Sequence, residues 1–402
     1  MKIAGIVAEY NPFHNGHADH IRMTRDPRAA DASHVVAVMS GSFVQRGEPA
    51  LFPKNERVRA ALAGGVDLVI ELPLPWVLSS AEGFAFGAVS LLNALGCVET
   101  LSFGSECGDV DALEEAAAVM EDPRYLSIVR GRMEYGGTAA EAYQFAMREV
   151  GGTRCANLLS TPNNVLGMEY IKALRRLNSP IRPFTVQRQG AAHDDEYPVG
   201  QSASASYLRR MAQEGRWNNA ATFMPRDSFV LCSEAMAKGR APADATRNER
   251  AMLLKLRRMN TERLATLAGV SEGLENRLYN VASTADTMSS LLDSLKTKRY
   301  THTRLQRLLW SAMLDIPAEW ATRTPPYVRV LGMNERGREI LNAAKRTVSL
   351  PLVTRAAQAE ALTGFAREVW ECECRAADWY SFTLPTPLPR GTEYTDGIVR
   401  VE

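Results

Sequence analysis

Short apolar runs rich in β-branched residues alternate with helical patterns over residues 1–110, and this alternation constrains the fold more than any other sequence feature. The apolar runs occupy residues 3–8, 35–39, 68–72 and 100–103, and the helical patterns occupy residues 16–23, 54–63 and 81–95. Such runs are typical of strands buried on both faces of a parallel sheet. Strand–helix–strand repeats predict right-handed crossovers, and therefore a Rossmann-like, doubly wound α/β sheet that binds its ligand at the carboxyl ends of the strands.

The rest of the chain divides into segments of different character. A helix, a strand and a closing helix are expected to complete the sheet domain, at residues 165–177, 184–187 and 204–213. We predict that this domain spans residues 1–215 and that a helical domain follows at residues 216–320. Residues 321–402 contain a strand–helix–strand pattern, which predicts a small α/β appendage, and a proline-rich tail from residue 383 that we expect to be extended and peripheral.

The composition excludes several classes of protein. With 46% hydrophobic and 23% charged residues, the 402-residue chain is neither disordered nor fibrous, and no apolar run approaches the roughly 20 residues of a membrane span. Its 47 basic and 46 acidic side chains nearly cancel, so any polyanion must bind locally. Of the six cysteines only Cys372 and Cys374 are close in sequence; this pair is weak evidence for zinc, and we expect reduced thiols in a cytoplasmic protein.

A phosphate site is predicted where the first strand meets the first helix. His14 and His17 flank this turn, so both imidazoles can donate hydrogen bonds to one phosphate, and Gly16 leaves room for close backbone approach. The helix N-terminus adds N–H groups and the positive end of the helix dipole. Two other interpretations remain open. The histidines could be structural, or zinc could bind His14, His17 and His20, although His20 would lie about 120° off the face of His14.

A second phosphate-binding element is predicted at the start of a late helix, where two serines precede an arginine in the run Ser204-Ala205-Ser206-Tyr207-Leu208-Arg209. Ser204 and Ser206 can cap the helix and also contact phosphate oxygens. Arg209 can neutralise charge on a leaving pyrophosphate. The alternative is an ordinary helix cap followed by a solvated arginine.

These elements resemble those of a known superfamily and of one family within it. The H-x-G-H turn and the serine-rich turn ending in Arg209 resemble the nucleotidyltransferases that form adenylates from ATP and release pyrophosphate. Longer blocks resemble the tRNA(Met) cytidine acetate ligase family, at residues 5–17, 40–49, 67–73, 103–106 and 162–167, and more loosely at 296–301 and 327–332. Ser206 stands where a threonine is expected, a substitution that keeps the hydroxyl.

The resemblance implies an enzyme that activates acetate with ATP and Mg²⁺ to acetyl-adenylate. The acetyl group would then pass to N4 of the wobble cytidine of elongator tRNA(Met). His14, His17 and Arg209 would be catalytic. The ATP site, with Ser204 and Ser206, would comprise Ile6, Val7, Ala8, Glu9, Tyr10, Asn11, Pro12, Phe13, His14, Asn15, Gly16, His17, Ala18, Asp19, Gly104, Asn163 and Arg188.

Positive charge is concentrated in residues 250–310, which contain eleven basic and five acidic side chains. This excess predicts an RNA surface, although a charged helical face is more often simply solvated. Tyr300 and His302 would be available to stack on an unpaired base. The residues expected to contact RNA are Lys296, Lys298, Arg299, Arg304 and Arg307.

One loop and two alternative functions complete the hypotheses. Residues 40–49 follow the second strand as a polar loop, which would cover the acyl-adenylate against water, meet the RNA, or be a solvated connection. The alternative functions are a small-molecule adenylyltransferase of the same superfamily and a non-catalytic RNA-binding protein with a relict nucleotide pocket. The basic helical segment argues against the first, and the intact histidine and arginine motifs argue against the second.

Overall fold

A mostly parallel β-sheet forms the centre of the computed structural model, which describes residues 1–136, 138–188, 200, 203–271, 273–298 and 300–401. The strands are β1 (Ile3–Ala8), β2 (His34–Ser40), β3 (Phe43–Val44), β4 (Glu48–Pro49), β5 (Leu68–Leu72), β6 (Thr100–Ser105), β7 (Arg182–Gln187), β8 (Val328–Met333), β9 (Leu352–Val353) and β10 (Val399–Arg400). The main sheet has the order β10-β8-β5-β2-β1-β6-β7, with β9 paired to β8. Strands β5, β2, β1, β6 and β7 are parallel, as the sequence predicts.

Helices cover the sheet and make up most of the second half of the chain. The first helices are α1 (Asn15–Arg25), α2 (Lys54–Ala63), α3 (Leu74–Val77), α4 (Ala81–Leu95), α5 (Val110–Glu121), α6 (Pro123–Glu134), α7 (Ala139–Leu158), α8 (Pro162–Arg176) and α9 (Ala205–Gln213). They are followed by α10 (Arg226–Ala237), α11 (Glu249–Arg257), α12 (Thr261–Ala265), α13 (Leu274–Thr284), α14 (Met288–Leu295), α15 (His302–Leu314), α16 (Glu335–Ala344), α17 (Ala356–Glu360), α18 (Gly364–Ser381) and α19 (Thr392–Thr395). In the part of the chain that the structure describes, no helix has the length and apolar character needed to cross a bilayer.

Strand β2 shows why the sheet is central. Val36 and Val38 belong to the core on one side of the sheet, whereas Val35, Ala37 and Met39 belong to the core on the other side. All five side chains are fully buried. Alternating side chains of one strand therefore contribute to two cores, which confirms the prediction of strands buried on both faces.

The order of the strands reverses at β1, and this reversal positions the site. β2 and β5 lie on one side of β1, and β6 and β7 lie on the other. In open α/β sheets the ligand crevice lies at the carboxyl ends of the strands on either side of such a reversal. The H-x-G-H turn leaves β1 at this edge, Gly104 lies near the end of β6, and Arg188 directly follows β7.

The last segment extends the main sheet instead of forming a separate appendage. β8 pairs antiparallel with β5, and β10 pairs with β8. Thr383 and Leu384, at the start of the tail, are buried, whereas residues 385–387, 389 and 390 are exposed, so the proline-rich part of the tail is peripheral, as expected. Without these strands, β5 would be an edge strand with unpaired backbone N–H and C=O groups, and the antiparallel pairing satisfies them.

The middle segment is helical, as predicted, and packs directly on the sheet. Leu256 of α11, Leu291 of α14 and Trp310 of α15 share one continuous core with the sheet, whereas Cys232 and Ala235 of α10 belong to a separate core. Helices α11 and α12 are separate, because the Asn260 side chain accepts a hydrogen bond from the Arg263 N–H and starts a new helix. The domain boundaries at residues 215 and 320 stay a prediction.

Candidate functional site

The H-x-G-H turn caps helix α1 and at the same time presents two imidazoles. His14 is the N-cap residue; its Nδ1 accepts a hydrogen bond from the Gly16 N–H at 3.1 Å, and His17 Nδ1 accepts from the His14 N–H at 3.2 Å. The two rings stack with their centroids 3.8 Å apart. Since each Nδ1 is an acceptor, a neutral ring carries its proton on Nε2, which can donate to a phosphate oxygen. The capping role and the phosphate-binding role are therefore compatible.

Gly16 keeps the first of these rings in place. A Cβ at this position would lie 3.0 Å from His14 Cε1 and 3.2 Å from its Nδ1, which is too close for an undisturbed ring. The glycine of the motif thus leaves the neighbouring imidazole undisturbed and also leaves room for the approach of a ligand.

Arg209 lies against the same turn, although it is distant in sequence. Its Nη1 donates to the Asn11 carbonyl at 3.2 Å, and its Nη2 donates to Ser206 Oγ at 3.0 Å. Ser204 Oγ accepts from the Tyr207 N–H at 3.1 Å and caps α9. The structure therefore brings the two predicted phosphate-binding elements together, with the helix cap and the arginine both in use.

A cavity of about 430 Å³ opens between these two elements. Thirteen of the predicted site residues line it: Ile6, Val7, Ala8, Glu9, Tyr10, Asn11, His14, His17, Gly104, Asn163, Arg188, Ser204 and Arg209. The other predicted residues are outside its lining: Pro12, Phe13, Asn15, Gly16, Ala18, Asp19 and Ser206. Phe13 packs in the core below the turn, Asn15 donates to the Thr222 carbonyl, and Ser206 holds Arg209.

Glu106 organises the wall of the cavity at β6 and α8. Its carboxylate accepts hydrogen bonds from Asn163 Nδ2 at 2.6 Å and from the Asn164 N–H at 2.9 Å, at the start of α8. Burial opposes ionisation, but these hydrogen bonds outweigh it and lower the pKa of Glu106. Asn164 Oδ1 in turn accepts from the Glu106 N–H at 3.0 Å. Asn163 is therefore held in position at the cavity by a carboxylate that the sequence analysis does not single out.

Arg188 and Gly104 are neighbours on this wall. A Cβ at Gly104 would lie 3.2 Å from Arg188 Cγ, so the glycine leaves space for the arginine stem as well as for a ligand. Burial lowers the pKa of Arg188, and the nearby Glu106 carboxylate partly offsets this. The guanidinium carries its positive charge, as arginine does throughout proteins.

His20 lines the cavity but is arranged differently from the other two histidines. Its Nε2 lies 3.0 Å from Ser102 Oγ. Burial, together with the positive charge of Arg188, lowers the pKa of His20 to about 4, so the ring is neutral at pH 7. As for the zinc alternative, no group of three or more His, Cys, Asp or Glu side chains suited to a metal ion occurs among the described residues.

Glu9 connects the end of β1 to the loop after β2. Burial raises the pKa of its carboxyl, while a hydrogen bond from the Gln45 N–H and the charges of Arg209, Arg57 and Arg46 act in the opposite direction. The Gln45 N–H lies 2.6 Å from Glu9 Oε1. Arg57 Nη1 donates to the Glu9 carbonyl at 2.6 Å, so the backbone of this residue is also fixed.

Residues 43–49, called here the rim hairpin, consist of β3, β4 and the turn between them. Val44, Gln45 and Arg46 line the cavity, and Gly47, in a left-handed conformation, closes the turn with its N–H on the Val44 carbonyl. The other side of the hairpin packs on α15. The loop predicted at residues 40–49 is therefore a wall of the cavity and not a solvated connection.

Three aromatic side chains that were not predicted as site residues also line the cavity. Phe84 of α4, Phe103 of β6 and Tyr170 of α8 all line it. Phe103 and Tyr170 pack with their ring centroids 5.6 Å apart. Each follows the apolar pattern of its own element, so nothing in the local sequence distinguishes these residues from ordinary core aromatics.

The five basic residues expected to contact RNA differ in their surroundings. Lys296 and Lys298 are exposed, at the loop before α15. Arg304 donates to Ser271 Oγ at 2.8 Å, and Arg307 donates to the Gln45 carbonyl at 3.2 Å. Arg299 lies outside the described residues. Other basic side chains of helices α11–α15, called here the helical layer, also bond to protein: Lys255 to Asp315 and Arg277 to the Ser294 carbonyl. Part of the positive excess therefore stabilises the helices themselves.

The expectation that Tyr300 stacks on a base is wrong. Tyr300 is only 7% exposed, its hydroxyl donates to the Ser271 carbonyl at 3.2 Å, and the Arg304 guanidinium covers its ring at 4.8 Å. The apolar ring is more stable packed under the arginine than in water. His302, at the start of α15, is exposed.

Comparisons with known proteins agree with this geometry. Residues 1–394 match the family described as HIGH Nucleotidyl Transferase. The chain is 37% identical over 418 residues to the tRNA(Met) cytidine acetate ligase of Acetivibrio thermocellus, covering 99% of this chain and 100% of that protein. It is similar in structure to Thermotoga maritima TmcAL in the apo form, with a TM-score of 0.93, and bound with alpha-thio ATP, with a TM-score of 0.91; both are 31% identical, and both chains are covered completely.

Proposed function

The chain belongs to the tRNA(Met) cytidine acetate ligase family of HIGH nucleotidyl transferases, and on this premise we propose that it joins acetate to ATP and acetylates elongator tRNA(Met). One observation supports this most strongly. His14, His17 and Arg209 meet in one cavity at the carboxyl end of β1, in a chain that matches an ATP-analogue-bound ligase structure over its whole length. The two alternative functions have no such support.

The first step transfers the adenylyl group. A carboxylate oxygen of acetate attacks the α-phosphorus of ATP, the bond to the bridging oxygen breaks, and pyrophosphate leaves. Nε2–H of His14 and of His17 would donate to phosphate oxygens, and the Arg209 guanidinium would neutralise the charge that develops on pyrophosphate. The adenosine would lie on the side of β6 and β7, where Gly104, Asn163 and Arg188 line the cavity.

The second step transfers the acetyl group to RNA. The N4 amine of the wobble cytidine attacks the acetyl carbonyl, loses a proton, and AMP leaves. The intermediate must be kept from water until the RNA arrives, because acyl-adenylates hydrolyse readily. Ala81, Phe84 and Val44, which line the cavity with apolar side chains, would hold the methyl group.

Magnesium would enter with the nucleotide. Of the carboxylates in the described part of the chain, Glu9 alone lines the cavity, and its Oε1 already accepts a hydrogen bond from the Gln45 N–H. Mg²⁺ is usually held by one or two carboxylates, water and substrate phosphates. These residues therefore do not form a resident metal site, and the proposed steps rest on protein side chains.

The RNA would bind the helical layer beside the cavity, with Lys296 and Lys298 as phosphate contacts. Both are exposed, in a segment with an excess of basic residues. Phosphate contacts of this kind position an RNA without reading its sequence.

A tRNA-modifying activity also implies a cytoplasmic protein.

The function is tested by incubating the protein with ATP, Mg²⁺, labelled acetate and total tRNA, and then analysing the digested RNA. We expect N4-acetylcytidine, AMP and pyrophosphate, with no product when acetyl-coenzyme A replaces ATP and acetate. Propionate should react more slowly than acetate, since a surplus methylene costs about 1–3 kcal/mol in a closely fitting pocket. Modification from acetyl-coenzyme A alone would contradict the proposal.

A further inference from the structure

Helix α15 contacts the wall of the active-site cavity through the rim hairpin. Arg307 Nη1 donates to the Gln45 carbonyl at 3.2 Å, while the Gln45 N–H donates to Glu9 Oε1 at 2.6 Å. Both polar groups of this backbone segment are therefore held, one by the helix and one by the end of β1. Gln45 itself lines the cavity between Val44 and Arg46.

Two further contacts fix the hairpin on the helix. The Phe43 ring, fully buried, packs on Trp310 of α15 with centroids 4.4 Å apart. At the turn, Gly47 lies so close to α15 that a Cβ would be 2.5 Å from the backbone nitrogen of Arg307. The φ of Gly47, +76°, also disfavours any other residue. Close packing of this kind leaves the hairpin few alternative positions.

Arg307 is less exposed to solvent than an arginine that binds RNA phosphates at a protein surface. Its side chain is half-buried, and burial, together with the like charge of Arg304, lowers the pKa of Arg307 to about 10. Lys296 and Lys298, in contrast, are exposed in the loop that precedes the same helix. The chemistry of Arg307 is therefore that of a partly desolvated structural donor.

From these contacts we propose that Arg307 is a positioning residue for the catalytic cavity: it holds the Gln45 carbonyl so that Val44, Gln45 and Arg46 stand where acetate and the adenylate are bound. This rests on the proposed function and replaces the RNA contact expected for Arg307. It also means that α15 links the two substrate sites, since the loop before the helix carries the exposed lysines and its first turns support the cavity.

The test measures a reaction that needs no RNA, namely acetate-dependent exchange of pyrophosphate into ATP, alongside tRNA affinity. Arg307→Met removes the hydrogen bond and should lower kcat of the exchange about tenfold, because misplaced site residues are costly even when the shift is small. Its tRNA affinity should fall by less than twofold. Arg307→Lys, which retains one donor, should recover part of the exchange rate.

Arg277→Met is the matched control. It removes the same charge and a similar bond to a backbone carbonyl, Ser294, from the same helical layer but away from the rim hairpin, so exchange should be unchanged. Gly47→Ala, which would push the hairpin off α15, should reproduce the exchange defect and provides a second variant if Arg307→Met does not fold. Normal exchange with weakened tRNA binding in Arg307→Met would overturn the inference. Absence of exchange in the unmodified protein would instead contradict the proposed function.

Discussion

At the scale of single residues, His14 illustrates how one side chain serves folding and chemistry together. Its Nδ1 caps α1 through the Gly16 N–H, and this bond determines which nitrogen carries the proton. Its Nε2–H can then donate to a phosphate at the positive end of the helix. A pattern that is typical of an ordinary helix cap is thus also the pattern of a preorganised donor.

Substitution of the two histidines should separate these roles. His14→Ala and His17→Ala should lower acetyl-adenylate formation about 100-fold, the usual effect of losing one preorganised donor. His14→Asn keeps a good N-cap, so it should recover the stability lost in His14→Ala, about 1 kcal/mol, without recovering activity. Assays of acetyl-adenylate and thermal melting of the variants check both expectations. Near-normal synthesis by His14→Asn and His17→Ala would rule out the catalytic assignment.

His20 should make the stability depend on pH. Its folded-state pKa of about 4 lies below the ordinary 6.5, so the unfolded chain binds the proton first as the pH falls. The contribution of His20 to the free energy of unfolding is therefore fully present above pH 6.5 and is lost as the pH falls from 6.5 to about 4. Urea unfolding at pH 7.5 and pH 5 should show a smaller decrease for His20→Gln than for the unmodified protein. Equal decreases would show that this ring does not titrate as described.

At the scale of elements, the helical layer uses its basic residues in two ways. Arg257 donates to the Ala282 and Ala285 carbonyls near the C-terminus of α13, and Arg277 does the same for the Ser294 carbonyl near the end of α14. Such bonds satisfy carbonyls that a helix end leaves without partners. The exposed Lys296 and Lys298 remain the best candidates for RNA phosphates.

Charge reversal at these two lysines should affect RNA binding and leave the chemistry intact. Lys296→Glu with Lys298→Glu should weaken tRNA binding and reduce its dependence on salt, because about two counterion-releasing contacts are lost. Acetyl-adenylate formation without tRNA should persist. Binding measured from 50 to 200 mM salt tests this, with Arg277→Met as a basic residue that is expected to have no effect. An unchanged affinity and salt slope would locate the RNA surface elsewhere.

At the scale of the whole molecule, a buried charge cluster joins segments that are far apart in sequence. Lys54 of α2 contacts Glu71 of β5 and Glu393 of α19 at 2.8 Å, and Arg329 of β8 contacts the same two carboxylates. Burial disfavours the charged form of Glu393, but Arg329 and Lys54 outweigh it and lower its pKa. The cluster therefore links α19 in the tail to strand β8 and to strand β5 of the parallel sheet.

Breaking this cluster should destabilise the fold as a whole. Glu393→Gln leaves two buried cations with one fewer carboxylate and should lower the free energy of unfolding by about 3 kcal/mol or more. Glu371→Gln, which breaks the exposed pair with Arg367, should change it by less than about 0.5 kcal/mol. Denaturant unfolding of the two variants provides the comparison. A similar small decrease in the free energy of unfolding of both variants would show that the buried ion pairs stabilise the fold no more than the exposed pair.

Local sequence patterns are enough to predict the parallel sheet, most of its helices and the phosphate-binding turn. Strand burial and helix periodicity depend on neighbouring residues, and the H-x-G-H turn is complete within a few positions of β1. The same holds for Ser204 and Arg209, whose cap geometry is contained in one helical turn.

Other features depend on contacts between distant segments, and no local pattern encodes them. The antiparallel addition of β8 to β5, the burial of Thr383 and Leu384 and the aromatic wall with Tyr170 arise when separate apolar surfaces pack together. Arg307 is the clearest case, since the same basic residue on a helix fits an RNA contact or a support for Gln45 equally well. Its bonding partner is fixed by the folded chain, because burial next to the hairpin turns a solvated charge into a donor that requires an acceptor.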